Sequence, residues 1–173
     1  MSQIVITAVG PDKPGMVGEL TGHLSAAGAN ILDSRMINLR GQFAIIMLVE
    51  ADEGRAAALK SGLPAACTGT GLTIEITDGR TAAPAVKGVP YRIKTYSMDQ
   101  PGLVHKISDA LRGHGVNIEE LVTRQESAAF AGTPLFIMEL RVTVPAEVAV
   151  RKLRGELEKV CEGLNMDLDM EPG

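Results

Sequence analysis

The chain lacks the groups that most recognition and redox chemistries require. Its 173 residues include no tryptophan, and only two tyrosines, three phenylalanines, two cysteines and three histidines. So few aromatic rings provide no stacking platform of the kind that single-strand nucleic-acid binders use. The 17 basic residues form no run and are outnumbered by 21 acidic ones, for a net charge of -4. Nucleic-acid affinity depends on clustered Lys and Arg, so this balance argues against a phosphate-binding surface. Cys67 and Cys161 stand alone, with no CxxC and no paired-histidine spacing, which suggests neither a disulfide framework nor a zinc site. No cofactor and no metal ligand are implied. No apolar stretch reaches the ~20 residues that span a bilayer. The opening Met-Ser-Gln-Ile-Val-Ile has no basic segment and runs directly into a strand, so the expectation is a soluble cytoplasmic protein without signal peptide or membrane contact.

What is present is a repeat. Asp12-Lys13-Pro14-Gly15-Met16-Val17 returns as Asp99-Gln100-Pro101-Gly102-Leu103-Val104, 87 residues later. At the same offset Ile6 matches Ile93, Leu24 matches Leu111, and Gly28, Asn30 and Ile31 match Gly115, Asn117 and Ile118. A long period with matched turn residues means two copies of one small domain. The expected organisation is a first domain over 1–79, a linker over 80–90 containing Pro84 and Gly88, and a second domain over 91–173.

Each copy spells the same order of elements. In the first, strands are expected near 3–9, 30–38, 42–51 and 72–77. Pro14 opens a first helix carrying Val17, Leu20, Leu24 and Ala27, with Gly28 as its C-cap. Arg40-Gly41 reads as a hairpin turn, and a short second helix covers 53–62. The second copy places strands near 91–96, 117–126, 134–144 and 165–170. Its helices are expected at 101–114 and 146–163, the latter with Leu153, Leu157, Val160 and Leu164 on one stripe. A βαββαβ order implies an α+β fold: an antiparallel four-stranded sheet with two helices on one face, the ferredoxin-like unit, twice over.

The copies differ in one respect. Tyr91 to Thr95 and Phe136 to Val142 alternate apolar and charged residues, as suits a sheet wet on one face. Phe43 to Val49 has no polar residue, and Ile4-Val5-Ile6 is apolar on both sides. The helix-free face of the first sheet is therefore expected to be covered, by the second domain or by another subunit, and a homodimer is anticipated. Met36, Met47, Met98 and Met138 read most simply as core filler, although flexible methionines also suit adaptable binding surfaces.

The pattern strand, Asp-x-Pro-Gly, two apolar residues, then a helix ending Gly-x-Asn-Ile resembles the ACT domain, a ferredoxin-like regulatory unit that binds amino acids. Both copies carry it, as GPDKPGMV with GANI and SMDQPGLV with GVNI. Val5 to Gly10, Asn30 to Met36, Phe43 to Leu48 and Asn117 to Arg124 further resemble the glycine cleavage system transcriptional repressor family, tandem ACT chains of about this length. The resemblance implies a non-catalytic regulator that binds a DNA-binding activator protein and responds to glycine or a similar small amino acid. It also implies that effectors bind between two such domains at these positions. A free-standing regulatory subunit of an amino-acid enzyme is the alternative.

The residues themselves suit a zwitterion. Free N–H groups at the helix starts, around Gly15 and Met16 or Gly102 and Leu103, are a carboxylate site by geometry. Asn30 and Asn117, with Ile31 and Ile118, begin the next strand and offer an amide, while Asp12 and Asp99 offer charge for an α-ammonium. A structural role competes at each position: the aspartates could only stabilise the helix start, and the asparagines could only form turns. Asp33-Ser34-Arg35 reads either as an exposed ion pair or as a partner contact. Ferredoxin-like acylphosphatases cradle phosphate with a loop arginine, but these loops carry Lys13 and Gln100, and no nucleophile–base pair is present, so no catalytic residue is assigned.

Overall fold

In a computed structural model of the chain, residues 1–79, 87–126 and 134–173 are described. Two compact units result, Met1–Ala83 and Pro84–Gly173. The first unit consists of β1 (Ser2–Pro11), α1 (Met16–Ala26), β2 (Asn30–Leu39), β3 (Gln42–Ala51), α2 (Glu53–Ala66), a 3-10 turn at Thr68–Thr70 and β4 (Thr73–Asp78). In the second these correspond to β5 (Gly88–Met98), α3 (Leu103–Gly113), β6 (Asn117–Glu126), β7 (Leu135–Pro145), α4 (Val150–Glu162) and β8 (Met166–Pro172). The sheets run β2-β3-β1-β4 and β6-β7-β5-β8, antiparallel throughout, so β2 and β6 are both edge strands. This is the ferredoxin-like fold, twice. Strand β5 begins at Gly88, three residues inside the segment expected to be linker. Residues 80–86 of that segment lie outside the described residues.

Register explains the burial. On β1, Ile4, Ile6 and Ala8 face the helices, and on β3 Phe43, Ile45, Met47 and Val49 do the same, all at most 6% exposed. Helix α1 closes this core with Met16, Leu20 and Leu24. Met16 faces inward where Val17 was expected, because the helix starts at Gly15 rather than at Pro14, and Pro14 lies in the preceding turn. Helix α2 continues through Pro64 to Ala66, four residues past its expected end. Leu59 and Leu63 stay buried on its inner face, so packing outweighs the one backbone bond that proline forfeits. Helices α1 and α3 end alike. Gly28 and Gly115, at φ 65 and 66°, donate to Ser25 and Arg112, and the next residues donate back to Leu24 and Leu111. That pair of bonds is the Schellman closure that glycine allows. Arg40 and Gly41 both have positive φ and join β2 to β3 as a two-residue hairpin, as expected.

One expectation about apolar residues changes. Met47 and Met138 are core residues, but Met36 and Met98 are 47% and 56% exposed, because β2 lies beyond the helices and Met98 ends its strand. On the helix-free face of the first sheet, Ile46 remains 49% exposed and no element of its own unit covers it.

Candidate functional site

The strand-to-helix junction is built the same way twice. After β1 and β5 the chain turns through Pro-Gly, and Gly15 and Gly102 take the N-cap positions at φ 94 and 91°. A left-handed N-cap is inexpensive only for glycine. Neither helix start receives a side-chain cap. The N–H groups of Met16, Val17 and Gly18 have no acceptor among the described residues, nor do those of Leu103, Val104 and His105. They add to the positive end of the helix dipole. The Met16 and Leu103 side chains themselves point inward and are nearly fully buried, so these residues serve the junction through their backbones.

Asp12 and Asp99 do not cap the helix. Asn38 Nδ2 donates to Asp12 Oδ2 at 2.6 Å, and Gln125 Nε2 donates to Asp99 Oδ2 at 2.5 Å. The backbone N–H of each aspartate donates across to the far end of the neighbouring strands, to Gly41 O at 2.8 Å and Pro134 O at 3.1 Å. Each carboxylate therefore has one oxygen held by an amide, and the other has no hydrogen-bond partner among the described residues. The next residue anchors the loop from below: Lys13 Nζ reaches Thr70 O at 3.4 Å, and Gln100 Nε2 donates to Leu164 O at 2.9 Å. In the first unit an open groove of about 460 Å³ is lined by Asp12, Gly15, Val17, Met36 and Phe43 among others. Exposed Met36 forms its apolar wall.

The structure separates the sequence-derived set into two places in each unit. Asp12, Gly15 and Met16 stand together, but Asn30 pairs with Glu50 at the opposite end of β2 from Asn38. Eight residues of strand, at ~3.3 Å each, put roughly 26 Å between them. Likewise Asp99, Gly102 and Leu103 share one end of the second unit. Asn117 and Ile118 lie at the other, beside Arg112 and Gly115 in a shallow groove of about 350 Å³. Asn30 and Asn117 are exposed, with Ile31 and Ile118 half-buried. The convergence expected within one copy does not occur, because an antiparallel strand carries its first residue away from the junction where the preceding helix began. Asn38 and Gln125 are the residues that sequence reasoning missed. The signal was available, since both are amides and they stand 87 residues apart.

Arg35 and Asp33 form an exposed ion pair at 2.5 Å, and His114 Nε2 meets Glu156 at 2.7 Å. Burial pushes the Cys67 thiol up, and pushes Cys161 up to about 11. No cluster of three metal-ligating side chains occurs among the described residues. On the second sheet's helix-free face, Lys94 and then Arg124 hold the Glu139 carboxyl below the usual range, at 3.4 and 3.0 Å.

Comparison with known proteins agrees with this architecture. The family model for the ACT domain matches residues 2–77. The chain is 30% identical over 164 residues to the glycine cleavage system transcriptional repressor of Escherichia coli K12, covering 94% of this chain and 85% of that one. It is 27% identical to the phosphoserine phosphatase SerB2 of Mycobacterium tuberculosis, over 97% of this chain but 40% of that enzyme. A crystal structure of an unknown protein from Galdieria sulphuraria superposes with a TM-score of 0.81 and 31% identity, over 99% of this chain and 98% of the other. One such module in duplicate, aligned over most of a repressor's length, settles the kinship: the chain belongs to the tandem ACT-domain proteins of the glycine cleavage system transcriptional repressor family.

Proposed function

We propose that this chain is a non-catalytic sensor of a small amino acid, glycine or one close to it, and that it acts by binding a DNA-binding activator protein in the cytoplasm. The observation carrying this reading is the doubled junction. Bare helix amides suit the carboxylate of a free amino acid, and the available oxygen of Asp12 or Asp99 suits its ammonium.

Each junction supplies half of the recognition set assigned from the sequence. Antiparallel pairing of two ACT edge strands would bring the residue-30 end of one against the residue-38 end of its neighbour. Between two copies of this chain, Asn30 and Ile31 would then complete the junction of the facing first unit, and Asn117 and Ile118 that of the facing second unit. This is how residues ~26 Å apart in one unit can serve a single ligand.

A second reading has one observation in its favour. The likeness to an amino-acid enzyme over nearly this whole chain fits a free-standing subunit that regulates such an enzyme. Co-purification of the full chain from its own cell extract, with and without glycine, separates the two. The first reading expects a DNA-binding protein whose yield changes with the amino acid. Recovery of a metabolic enzyme supports the second, and retention of neither contradicts both.

A further inference from the structure

We propose that the helix-free face of the first sheet is the interface through which two copies of this chain associate, stacked face to face about a two-fold axis running along the strands. Register places Val5, Val9, Ala44, Ile46 and Leu48 on this face. Ile46 and Val9 are 49% and 44% exposed, and Ile37 on the adjoining edge strand is 57% exposed. The corresponding positions of the second unit show that the fold does not require an apolar surface here. There Arg92, Tyr96, Ile137, Glu139 and Arg141 take those positions, with Ile137 the one aliphatic residue among them, and Lys94 stands where the first unit has Thr7, tied by the Lys94–Glu139 and Arg124–Glu139 ion pairs. One chain thus carries a wet and a dry version of the same sheet, and a dry face open to water is a contact surface.

Charge identifies the occupant and its orientation. A single row crosses the sheet as Arg35, Ile46, Thr7 and Glu75, with a cation at the β2 edge and a carboxylate at the β4 edge. Glu75 has no ion-pair partner among the described residues, and Arg35 is paired only with exposed Asp33. A two-fold axis parallel to the strands stacks the β2 edge of one copy over the β4 edge of the other. Each Arg35 then meets the Glu75 of its partner, twice per dimer, around an apolar centre. An axis perpendicular to the strands would instead stack Arg35 on Arg35. Three ten-residue strands and one of six make a face of roughly 590 Å². Two of them cover about 1,200 Å², at the lower limit of the ~1,200–2,000 Å² of a stable interface. This inference is independent of the effector reading.

The test is the mass of the full chain by light scattering and sedimentation, read across substitutions. Ile46→Glu is expected to halve the mass, whereas Val122→Glu on the second unit's face leaves it unchanged. Arg35→Glu and Glu75→Arg are each expected to weaken association roughly tenfold or more, and the double variant to restore it. The double variant keeps the test decisive if Ile46→Glu fails to fold. A monomeric wild-type chain overturns the proposal, as does an unchanged mass in Ile46→Glu or charge reversals that do not rescue each other. Ile46 proving protected from exchange in a monomer also overturns it, by placing a different cover on the face.

Discussion

Substitution of two glycines seven residues apart in the first unit should move stability in opposite directions. Gly15 holds φ at 94°, and a Cβ built there meets nothing within 4 Å. Gly15→Ala therefore carries no steric penalty, only the left-handed backbone of an L-residue, about 1–2 kcal/mol. Gly22 lies inside α1 with ordinary helical φ, and its Cβ also meets nothing within 4 Å. Gly22→Ala removes the entropic weakness of a helical glycine and gains about 0.5–1 kcal/mol. In a domain of this size 1 kcal/mol shifts Tm by about 4–8 °C. Calorimetry of the full chain should therefore show the first unit's transition falling by about 4–16 °C in Gly15→Ala and rising by about 2–8 °C in Gly22→Ala. Gly102→Ala should lower the second unit's transition likewise, since φ there is 91°. If Gly15→Ala were neutral or stabilising, the junction would not hold the left-handed cap, and the argument for presented helix amides would lose its basis.

Three further outcomes follow from the structure. The Thr95 hydroxyl is fully buried without a hydrogen-bond partner among the described residues, where the first unit has Ala8. Thr95→Val should raise stability by about 1 kcal/mol in chemical denaturation, and a fall would reveal a partner for that hydroxyl. With its pKa near 11, Cys161 should be thiolate in only roughly one chain in ten thousand at pH 7, so thiol titration of the native chain should be slow until denaturant is added. Glu139 has a depressed pKa in the folded chain, so its contribution is present above the ordinary glutamate range and is lost as pH falls through the lower, folded value. Glu139→Gln should flatten that acid limb of the stability profile, and an unchanged limb would show the pairing with Lys94 and Arg124 to be without consequence.

Much of this molecule was legible in the sequence because the chain states it twice. The matching Asp-x-Pro-Gly and Gly-x-Asn-Ile segments set the period, and the turn residues between apolar runs set βαββαβ. What sequence spacing cannot convey is which end of a strand a residue occupies relative to a loop 18 residues earlier. Asn30 follows the helix that Gly15 begins, yet α1 and β2 run in opposite directions, so the two ends lie far apart in one unit. The clamp on Asp12 escaped notice for the converse reason. Asn38 is 26 residues away along the chain and adjacent only once the hairpin at Arg40-Gly41 has folded back. The doubly apolar β3 implies a cover on both faces, the second supplied by the other domain or by another subunit; its own unit covers the helix side, and Ile46 on the other is 49% exposed.

The account's central claim is that uncapped helix amides beside a clamped carboxylate hold a free amino acid. Isothermal titration of the full chain with each of the common amino acids tests it most directly. Saturable binding of glycine or another small amino acid, weakened severalfold in Asn38→Ala while the fold persists by circular dichroism, is the predicted result. Absence of heat across the whole set, at ligand concentrations up to several millimolar, would contradict it.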